Sequence, residues 1–347
     1  MPETIPQLFE AAVARAPSQQ WLHFEDKTVT LEQAQLEVAG AADVLAGYGV
    51  TRGASVLATA RNSPAYLFAW LAVTQLGAAI AAVNPESTGA ELRGLLGQVR
   101  PAVVISDMGL RERVQEAIAE VAPGTPHVLA EELSAASSPP LPASPARPDD
   151  VAVMIPTSGT TGRPKLVMQT HRAHTMAGQG FPFWLGLTER DRLMTSLPLF
   201  HVNAPAYSVL GSLVAGAGLV LLPRFSAKAF IDQARRYGAT EFNAIGAMLE
   251  ILMRQPERAA DADNPLRLCY TGPSPPKDRQ LAIERRFGFE IVCGYALSES
   301  PYGLVWRRGT RPYGTLGSAR QHPELGEVNE ARVIGDNGHE ASRGEVG

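Results

Sequence analysis

Hydrophobic and polar positions follow two different periods along the first half of the chain. Helical spacing over 6–16 and 31–46 predicts two helices, and the short alternating runs at 21–24 and 27–30 predict a small hairpin between them. Apolar runs then alternate with amphipathic stretches. The predicted strands span 55–60, 78–83 and 101–105, and the predicted helices span 63–76, 87–99 and 109–121. This alternation is typical of a mostly parallel sheet with helices on both faces.

The same alternation returns after a proline-rich stretch at 123–150, which predicts a surface connection. An uninterrupted apolar run at 151–155 predicts a buried strand. Further strands are predicted at 193–197, 218–222, 240–245, 266–270 and 289–293, with helices at 205–216, 226–237, 247–254 and 276–287. After Pro301, short apolar runs separated by glycine turns predict hairpins.

These patterns predict an α/β protein with two related αβ subdomains and mostly parallel sheets, followed by the start of a small β-barrel subdomain. The expected boundaries are 1–150, 151–300 and 301–347. The uncharged run 65–83 is long enough to imitate a membrane span. Its polar residues and Gly77 instead favour a buried helix followed by a short strand.

Composition narrows the class of protein. The chain has 347 residues, of which 45% are hydrophobic and 19% charged, as in a globular protein with a large core. A net charge of −4 without a basic cluster argues against nucleic-acid binding. Two cysteines give neither a disulfide framework nor zinc spacing, and the N-terminus lacks the apolar core of a signal peptide. We therefore expect a cytoplasmic protein without stable membrane insertion, and a homodimer is left open.

The most distinctive chemistry lies in the loop after the strand at 151–155, with the sequence P-T-S-G-T-T-G-R-P-K over 156–165. Its glycines allow a close backbone approach, its hydroxyl and amide groups face one concavity, and Lys165 adds a positive charge. Such donors without carboxylates suit a polyphosphate, although the spacing differs from the Walker loop. A flexible surface turn is the alternative. The candidate phosphate-binding residues are Thr157, Ser158, Gly159, Thr160, Thr161, Gly162 and Lys165.

Three further segments, 197–203, 270–276 and 294–300, follow predicted strands at the edge where ligands of α/β sheets collect. The first contains His201 and Asn203, and its alternative interpretation is an ordinary loop with a hydrogen-bonded histidine.

The segment at 294–300 contains groups suited to a nucleotide. Tyr295 can stack on adenine, Ser298 can bond an α-phosphate and Glu299 can hold Mg²⁺. A helix cap with a surface glutamate is the alternative.

Two other groups of residues have competing interpretations. Gly246, Ala247 and Met248 follow a predicted strand and either line a substrate pocket or simply begin a helix. His171 and His174 have the spacing of two metal ligands, but no cysteine or carboxylate cluster accompanies them. A position on a helix surface or cap is therefore expected for both histidines.

The loop sequence T-S-G-T-T-G-x-P-K resembles the signature loop of the adenylate-forming superfamily, which includes acyl-CoA synthetases, peptide-synthetase adenylation domains and luciferases. The segment 197–203 resembles the family's second core motif, so the resemblance makes His201 a gate between nucleotide and acyl group. The segment 294–300 resembles the family's G-Y-G-x-T-E motif, with Ala296 in place of Gly and Ser298 in place of Thr.

The third segment departs from the family, which usually has a Gly-Gly-Ala-type turn along the adenine. Here the turn is Gly272-Pro273-Ser274, and Pro273 lacks an amide donor. The resemblance runs from near the N-terminus to Gly347 and is strongest to the acyl-CoA synthetase branch. Around 197–223 and 293–300 the sequence is similar to carnitine/crotonobetaine-CoA ligase-like members.

The resemblance implies that ATP and Mg²⁺ activate a carboxylic acid as an acyl-adenylate, and that CoA then accepts the acyl group. It assigns catalysis to Lys165, His201 and Glu299, and the metal to Thr160 and Glu299. The implied nucleotide contacts are the loop residues with Gly272, Pro273, Ser274, Gly294, Tyr295, Ala296 and Ser298. The implied substrate contacts are His201, Asn203, Gly246, Ala247, Met248, Leu297 and Ser300.

Several alternatives remain open. The family's mobile C-terminal lid domain is missing from the sequence, so we expect the 347-residue chain to bind ligands but to catalyse poorly. An enzyme that only forms the thioester from a supplied adenylate is one rival, and a non-catalytic acyl-nucleotide-binding module is another. A peptide-synthetase adenylation domain is less favoured because no aspartate aligns with its amino-group anchor. Gly211, Gly216, Gly246 and Ala247 hint at room for a bulky or long acyl group, whose identity the sequence does not reveal.

Overall fold

The computed structural model describes residues 1–133, 140–157 and 165–347. The predicted N-terminal helices and hairpin are confirmed as α1 (Ile5–Arg15), β1 (Gln20–Phe24), β2 (Lys27–Thr30) and α2 (Leu31–Gly47). Both helices begin at a capping box, Thr4 with Gln7 and Thr30 with Gln33. Each box supplies hydrogen bonds to amide groups that the first helical turn leaves unpaired.

The first sheet has six strands. They are β3 (Ser55–Thr59), β4 (Ala79–Ala82), β5 (Val103–Ser106), β6 (His127–Leu129), β7 (Val151–Thr157) and β8 (Lys165–Thr170). Their order is β6-β5-β3-β4-β7-β8, and only the pair β7–β8 is antiparallel. The connecting helices are α3 (Pro64–Gln75), α4 (Gly89–Val99) and α5 (Arg111–Val121).

The uncharged run at 65–83 is a buried helix followed by a strand, as predicted. Every residue of α3 from 66 to 75 is buried, so the helix needs no polar face. None of the helices that the structure describes is long and apolar enough to cross a membrane.

Two strands of the first sheet differ from the sequence prediction. The stretch 123–150 was expected to be only a surface connection, but β6 lies within it and pairs with β5. The pattern also does not predict β8, which pairs with β7 along its whole length. Three residues of β6 give too little alternation to recognise, and β8, an edge strand, has only one buried position.

The second sheet has nine strands, including β1 and β2. The others are β9 (Arg192–Thr195), β10 (Gly218–Leu221), β11 (Glu241–Ile245), β12 (Leu268–Gly272), β13 (Glu290–Tyr295), β14 (Leu304–Val305) and β15 (Ser318–Ala319). Their order is β15-β14-β13-β12-β11-β9-β10-β1-β2. Pairing is parallel from β13 to β1 and antiparallel at both edges. An α/β fold with mostly parallel sheets is thus confirmed.

The helices of this part are α6 (His171–Leu185), a π-helix (Ala204–Val209), α7 (Leu210–Ala215), α8 (Phe230–Tyr237), α9 (Gly246–Met253) and α10 (Lys277–Phe287). A two-stranded sheet of β16 (Gln321–His322) and β17 (Gly326–Glu327) follows. The predicted short strands after residue 301 are therefore present, but the described residues form no closed barrel.

The two sheets do not divide the chain at residue 150. Strands β1 and β2 lie in the second sheet, where β1 pairs in parallel with β10, whereas β7 and β8 lie in the first sheet. The division of the chain into 1–150, 151–300 and 301–347 stays a prediction. Each sheet therefore contains strands from both sides of residue 150, and the segments described next follow the carboxyl ends of strands in the two sheets.

The expected surface position of His171 and His174 is wrong. Both lie in the first turn of α6, as a helix start predicts, but both are fully buried. The reason is that α1, α3 and α7 surround this helix. His171 Nδ1 accepts a hydrogen bond from the Ile5 amide at 3.3 Å, and the His174 ring lies 6.0 Å from Trp70.

Candidate active site

A pocket of about 250 Å³ lies where strands of both sheets end. It is lined by Ala82, Asn84, Ser87, Glu91, Leu95, Pro156, Thr157, Phe200 and His201. Two predicted segments that are far apart in sequence, at Thr157 and His201, therefore share one pocket. The sequence prediction did not include Asn84, Ser87 and Glu91. These three residues could have been predicted from the sequence, because they follow the predicted strand 78–83 at the edge where ligands collect.

The predicted phosphate loop leaves and re-enters the first sheet at a single point. Thr157 ends β7 and faces Lys165, the first residue of β8, in the antiparallel register. The Thr157 hydroxyl donates to the Lys165 carbonyl at 3.5 Å, and the Lys165 side chain is exposed. Ser158, Gly159, Thr160, Thr161 and Gly162 lie outside the described residues. The loop thus begins at the pocket, and the exposed side chain of Lys165 lies at its other end.

The segment that carries His201 is held in place by Asn62, which the sequence pattern does not single out. The Asn62 amide donates to the carbonyls of Leu197 at 3.0 Å and Leu222 at 3.2 Å, and its oxygen accepts from the Leu199 amide at 2.9 Å. Asn62 follows β3 of the first sheet, so these bonds join the two sheets beside the pocket. The His201 residue is exposed, but partial desolvation of its ring lowers the pKa of the imidazole, which is therefore neutral at pH 7.

We expect Asn62→Ala to lower the free energy of unfolding by about 3 kcal/mol, because it leaves three buried backbone groups without a partner. Urea denaturation measures this change. Asn337→Ala, on an exposed turn, serves as the control and is expected to change stability by less than about 1 kcal/mol. Equal stability of the Asn62 variant and the wild type would contradict the assigned role.

Asn203 is oriented by a buried polar pair. It precedes the π-helix, and its oxygen accepts from the amide of Asn243 on β11 at 2.6 Å. The same amide donates to the Ser208 hydroxyl at 3.1 Å. Asn243 and Ser208 are both buried and were not predicted as site residues. The signal for Asn243 was a lone amide in the otherwise apolar second half of a predicted strand.

The glycines that hinted at a large acyl pocket have different surroundings in the structure. A Cβ at Gly211 would lie 2.9 Å from the Phe181 ring, so that space is already filled. Gly216 ends α7 with a φ of +69°, which explains the glycine without a pocket. Those two expectations are wrong. No atom lies within 4 Å of a Cβ built at Gly246, and Ala247 is exposed, whereas Met248 is buried in the core.

The segment at 270–276 touches the next strand unusually closely. Gly272 ends β12, and a Cβ on it would lie only 2.4 Å from the carbonyl oxygen of Gly294 on β13. The peptide between Gly272 and Pro273 is cis. Ser274 is half-buried, and its hydroxyl donates to the Pro275 carbonyl at 3.2 Å. The structure therefore places the predicted turn directly beside the start of the 294–300 segment.

The segment at 294–300 ends β13 in a tight turn. Leu297 and Ser300 exchange two backbone hydrogen bonds of 3.1 Å, and Tyr295 is 41% exposed, so its ring is free to stack on a ligand. Ala296 and Ser298 are half-buried. The buried amide of Gln169 on β8 donates to the Ser298 carbonyl. Gln169, which was not predicted, thereby ties this turn to the strand that begins at Lys165.

Glu299 is the acidic group of this turn. Its carboxylate is exposed and makes no ion pair with any other residue that the structure describes. No group of three or more histidine, cysteine or acidic residues among the described ones could hold a metal. One free carboxylate nevertheless fits Mg²⁺, which usually takes one or two protein carboxylates and completes its shell with phosphate oxygens and water.

Comparison with known proteins shows the family of the chain. The model of the AMP-binding enzyme family matches residues 9–347. The crotonobetaine/carnitine–CoA ligase of Salmonella paratyphi C (strain RKS4594) is 29% identical over 331 residues, which are 90% of this chain and 62% of that protein. The inhibitor-bound N-terminal domain of FACL13 from Mycobacterium tuberculosis superposes with a TM-score of 0.86 at 28% identity, covering 97% of this chain and 86% of that one.

A more distant structure shares the fold. The anthranilate CoA ligase AuaEII in complex with anthranoyl-AMP superposes with a TM-score of 0.90 at 20% identity, covering 99% of this chain and 69% of that one. The chain thus spans about three fifths of the length of the curated relative and most of an isolated N-terminal domain. The family match extends over nearly the whole sequence and includes every segment found at the pocket. The chain therefore belongs to the AMP-binding enzyme family.

Proposed function

We propose that this chain is the large part of an ATP-dependent acyl-CoA ligase. The enzyme would activate a carboxylic acid as an acyl-adenylate and pass the acyl group to CoA. One observation carries the proposal: Thr157, at the start of the phosphate loop, and His201 line one pocket where strands of both sheets end. Gln169 on β8, the strand that follows this loop, donates a hydrogen bond to the carbonyl of Ser298, the neighbour of Glu299.

The chemistry requires two displacements. A carboxylate oxygen of the acid attacks the α-phosphorus of ATP, and pyrophosphate leaves with the electron pair of the broken P–O bond. The CoA thiolate then attacks the acyl carbon, and AMP leaves. Both steps bring anions together, so the protein must hold the reactants in line and offset their negative charge.

The described residues would divide this work as follows. Lys165 and the hydroxyl of Thr157 would bind phosphate oxygens, and the exposed Tyr295 ring would stack on adenine. Gly272 and Ser274 would lie along one edge of the adenine. Glu299 would hold Mg²⁺, which offsets phosphate charge when it is bound. The neutral imidazole of His201 would separate the nucleotide from the acyl group, which Asn203, Gly246 and Ala247 would border.

Calorimetric titration with two ligands tests the proposal. One ligand is ATP with Mg²⁺, and the other is an acyl-sulfamoyl adenosine, an acyl-adenylate mimic, prepared with several acyl groups. We expect both to bind. We also expect Glu299→Gln to weaken the binding of ATP with Mg²⁺ at least tenfold, because it removes the carboxylate that the metal needs. Glu257→Gln, a matched change on the exposed surface, is expected to have no effect.

The other outcomes separate the alternatives. Binding of the mimic without ATP would favour an enzyme that only forms the thioester from a supplied adenylate. Binding of both ligands without turnover by the full-length protein would favour a non-catalytic acyl-nucleotide-binding module. If neither ligand binds, the interpretation of the loop at 156–165 as a phosphate site is wrong.

A further inference from the structure

Arg320, in the segment between β15 and β16, is fully buried. Its Nε donates to the Leu304 carbonyl at 3.1 Å, and its Nη1 donates to the Tyr207 hydroxyl at 2.8 Å and the Pro301 carbonyl at 2.9 Å. Its Nη2 donates to the Tyr270 hydroxyl. The planar fork of the guanidinium is therefore bonded on all three nitrogens.

Aromatic rings enclose the same guanidinium. Its carbon lies 4.4 Å from the ring centroid of Trp184, 5.2 Å from that of Tyr207 and 5.7 Å from that of Tyr270. Arg320 forms no ion pair with a carboxylate in the described part of the chain. A buried charge is costly unless it is well solvated by the protein. Here carbonyl oxygens, phenol hydroxyls and ring faces provide that solvation.

Three of the four hydrogen-bond partners of Arg320 lie in or next to three different segments of the site. Tyr207 lies in the π-helix that follows His201, Tyr270 lies two residues before Gly272, and Pro301 directly follows the 294–300 turn. The Tyr207 hydroxyl also donates to the Pro301 carbonyl at 2.6 Å. One side chain is thus hydrogen-bonded in or next to each of the three segments that the proposed function assigns to ligand binding.

We propose that Arg320 is a positioning residue, which holds the His201, Gly272 and Glu299 segments in the geometry that an acyl-adenylate requires. The inference rests on the proposed function. Its physical basis is the rigid fork of the guanidinium, whose several donors point in fixed directions. A lysine ammonium carries the same charge but cannot reach carbonyls and phenols of three segments at once. Small displacements of binding groups are costly in a preorganised site.

The test compares binding of the acyl-sulfamoyl adenosine mimic by the wild type, Arg320→Lys and Arg320→Met. We expect both variants to bind at least tenfold more weakly. Arg308→Met, which removes an exposed arginine of the same region, is the matched control and is expected to keep the wild-type affinity. Thermal melting is recorded in parallel, and titrations are made well below each melting temperature so that only folded protein is compared.

Two results would overturn the inference. Wild-type affinity of folded Arg320→Met would show that the residue supports only the stability of the fold, and wild-type affinity of Arg320→Lys would show that its charge suffices. If the Arg320 variants do not fold, Tyr207→Phe removes one link between Arg320 and Pro301, with a three- to tenfold loss expected, and unchanged affinity overturns the inference. Failure of the wild type to bind the mimic would instead reject the proposed function, and the inference with it.

Discussion

Gly272→Ala is expected to lower the free energy of unfolding by about 3 kcal/mol and to abolish binding of the acyl-adenylate mimic. The added Cβ would lie 2.4 Å from the carbonyl oxygen of Gly294, far inside the contact distance of real side chains. That oxygen belongs to the backbone of a neighbouring parallel strand, so it cannot rotate away. Either β12 or β13 must shift, and both lead directly into segments of the proposed site. Urea denaturation and calorimetry measure the two effects.

A glycine in open space provides the control for this prediction. Gly97 lies on the exposed face of α4, and no atom lies within 4 Å of a Cβ built on it. Gly97→Ala should leave stability unchanged or raise it by about 0.5 kcal/mol, because alanine loses less entropy in a helix. If Gly272→Ala were as stable as the wild type, the close approach of the two strands would not be rigid.

Acid is expected to destabilise the protein through two of its buried histidines, His171 and His174. Burial lowers the pKa of His171 to about 4 and that of His174 to about 3, whereas both would titrate near 6.5 in the unfolded chain. As the pH falls from 6.5 towards 4, the two histidines bind protons in the unfolded chain but not in the folded chain. Each histidine therefore lowers the free energy of unfolding by about 1.4 kcal/mol per pH unit in this range. Urea denaturation at pH 7, 6 and 5 measures the slope.

The test compares the acid slopes of two histidine variants, because Glu241 changes the free energy of unfolding with pH in the opposite direction. Burial, followed by the nearby Asp191, raises the pKa of Glu241, whose contribution to stability is lost as the pH rises. His174→Leu should reduce the acid slope by about 1.4 kcal/mol per pH unit. His339→Leu, at an exposed position, is the matched control variant. An unaltered slope in the His174 variant would show that this histidine is already protonated in the folded protein.

The sequence predicts the alternation of strands and helices well because both periods are local. Helix α3 and strand β4 are correctly predicted in a run that imitates a membrane span, since Gly77 and the polar residues interrupt it. The sequence predicts an element less well where contacts with residues distant in the chain determine its structure. Strand β6 exists because β5 offers it an edge. His171 and His174 are buried because α1 and α7 cover a helix whose first turn is polar.

The same distinction holds at the site. The segments at 197–203, 270–276 and 294–300 could be found because chemically useful residues directly follow predicted strands. The residues that hold those segments in place could not be found in this way. Asn62, Gln169 and Arg320 are each a single polar side chain, and their partners lie far away in the sequence. Nothing in the local pattern indicates which carbonyl such a side chain will reach.

The position of β1 in the second sheet has a consequence for how the chain folds during synthesis. Leu22 pairs with Leu219, so the N-terminal hairpin meets its partner strand only after the chain from Leu22 to Leu219 has been added. The first sheet, by contrast, has all its strands once β8 has emerged. The fold thus has a high contact order at its N-terminus, and such pairings form slowly. Until β10 arrives, β1 remains an unpaired strand edge, which makes the growing chain most prone to aggregation in that interval.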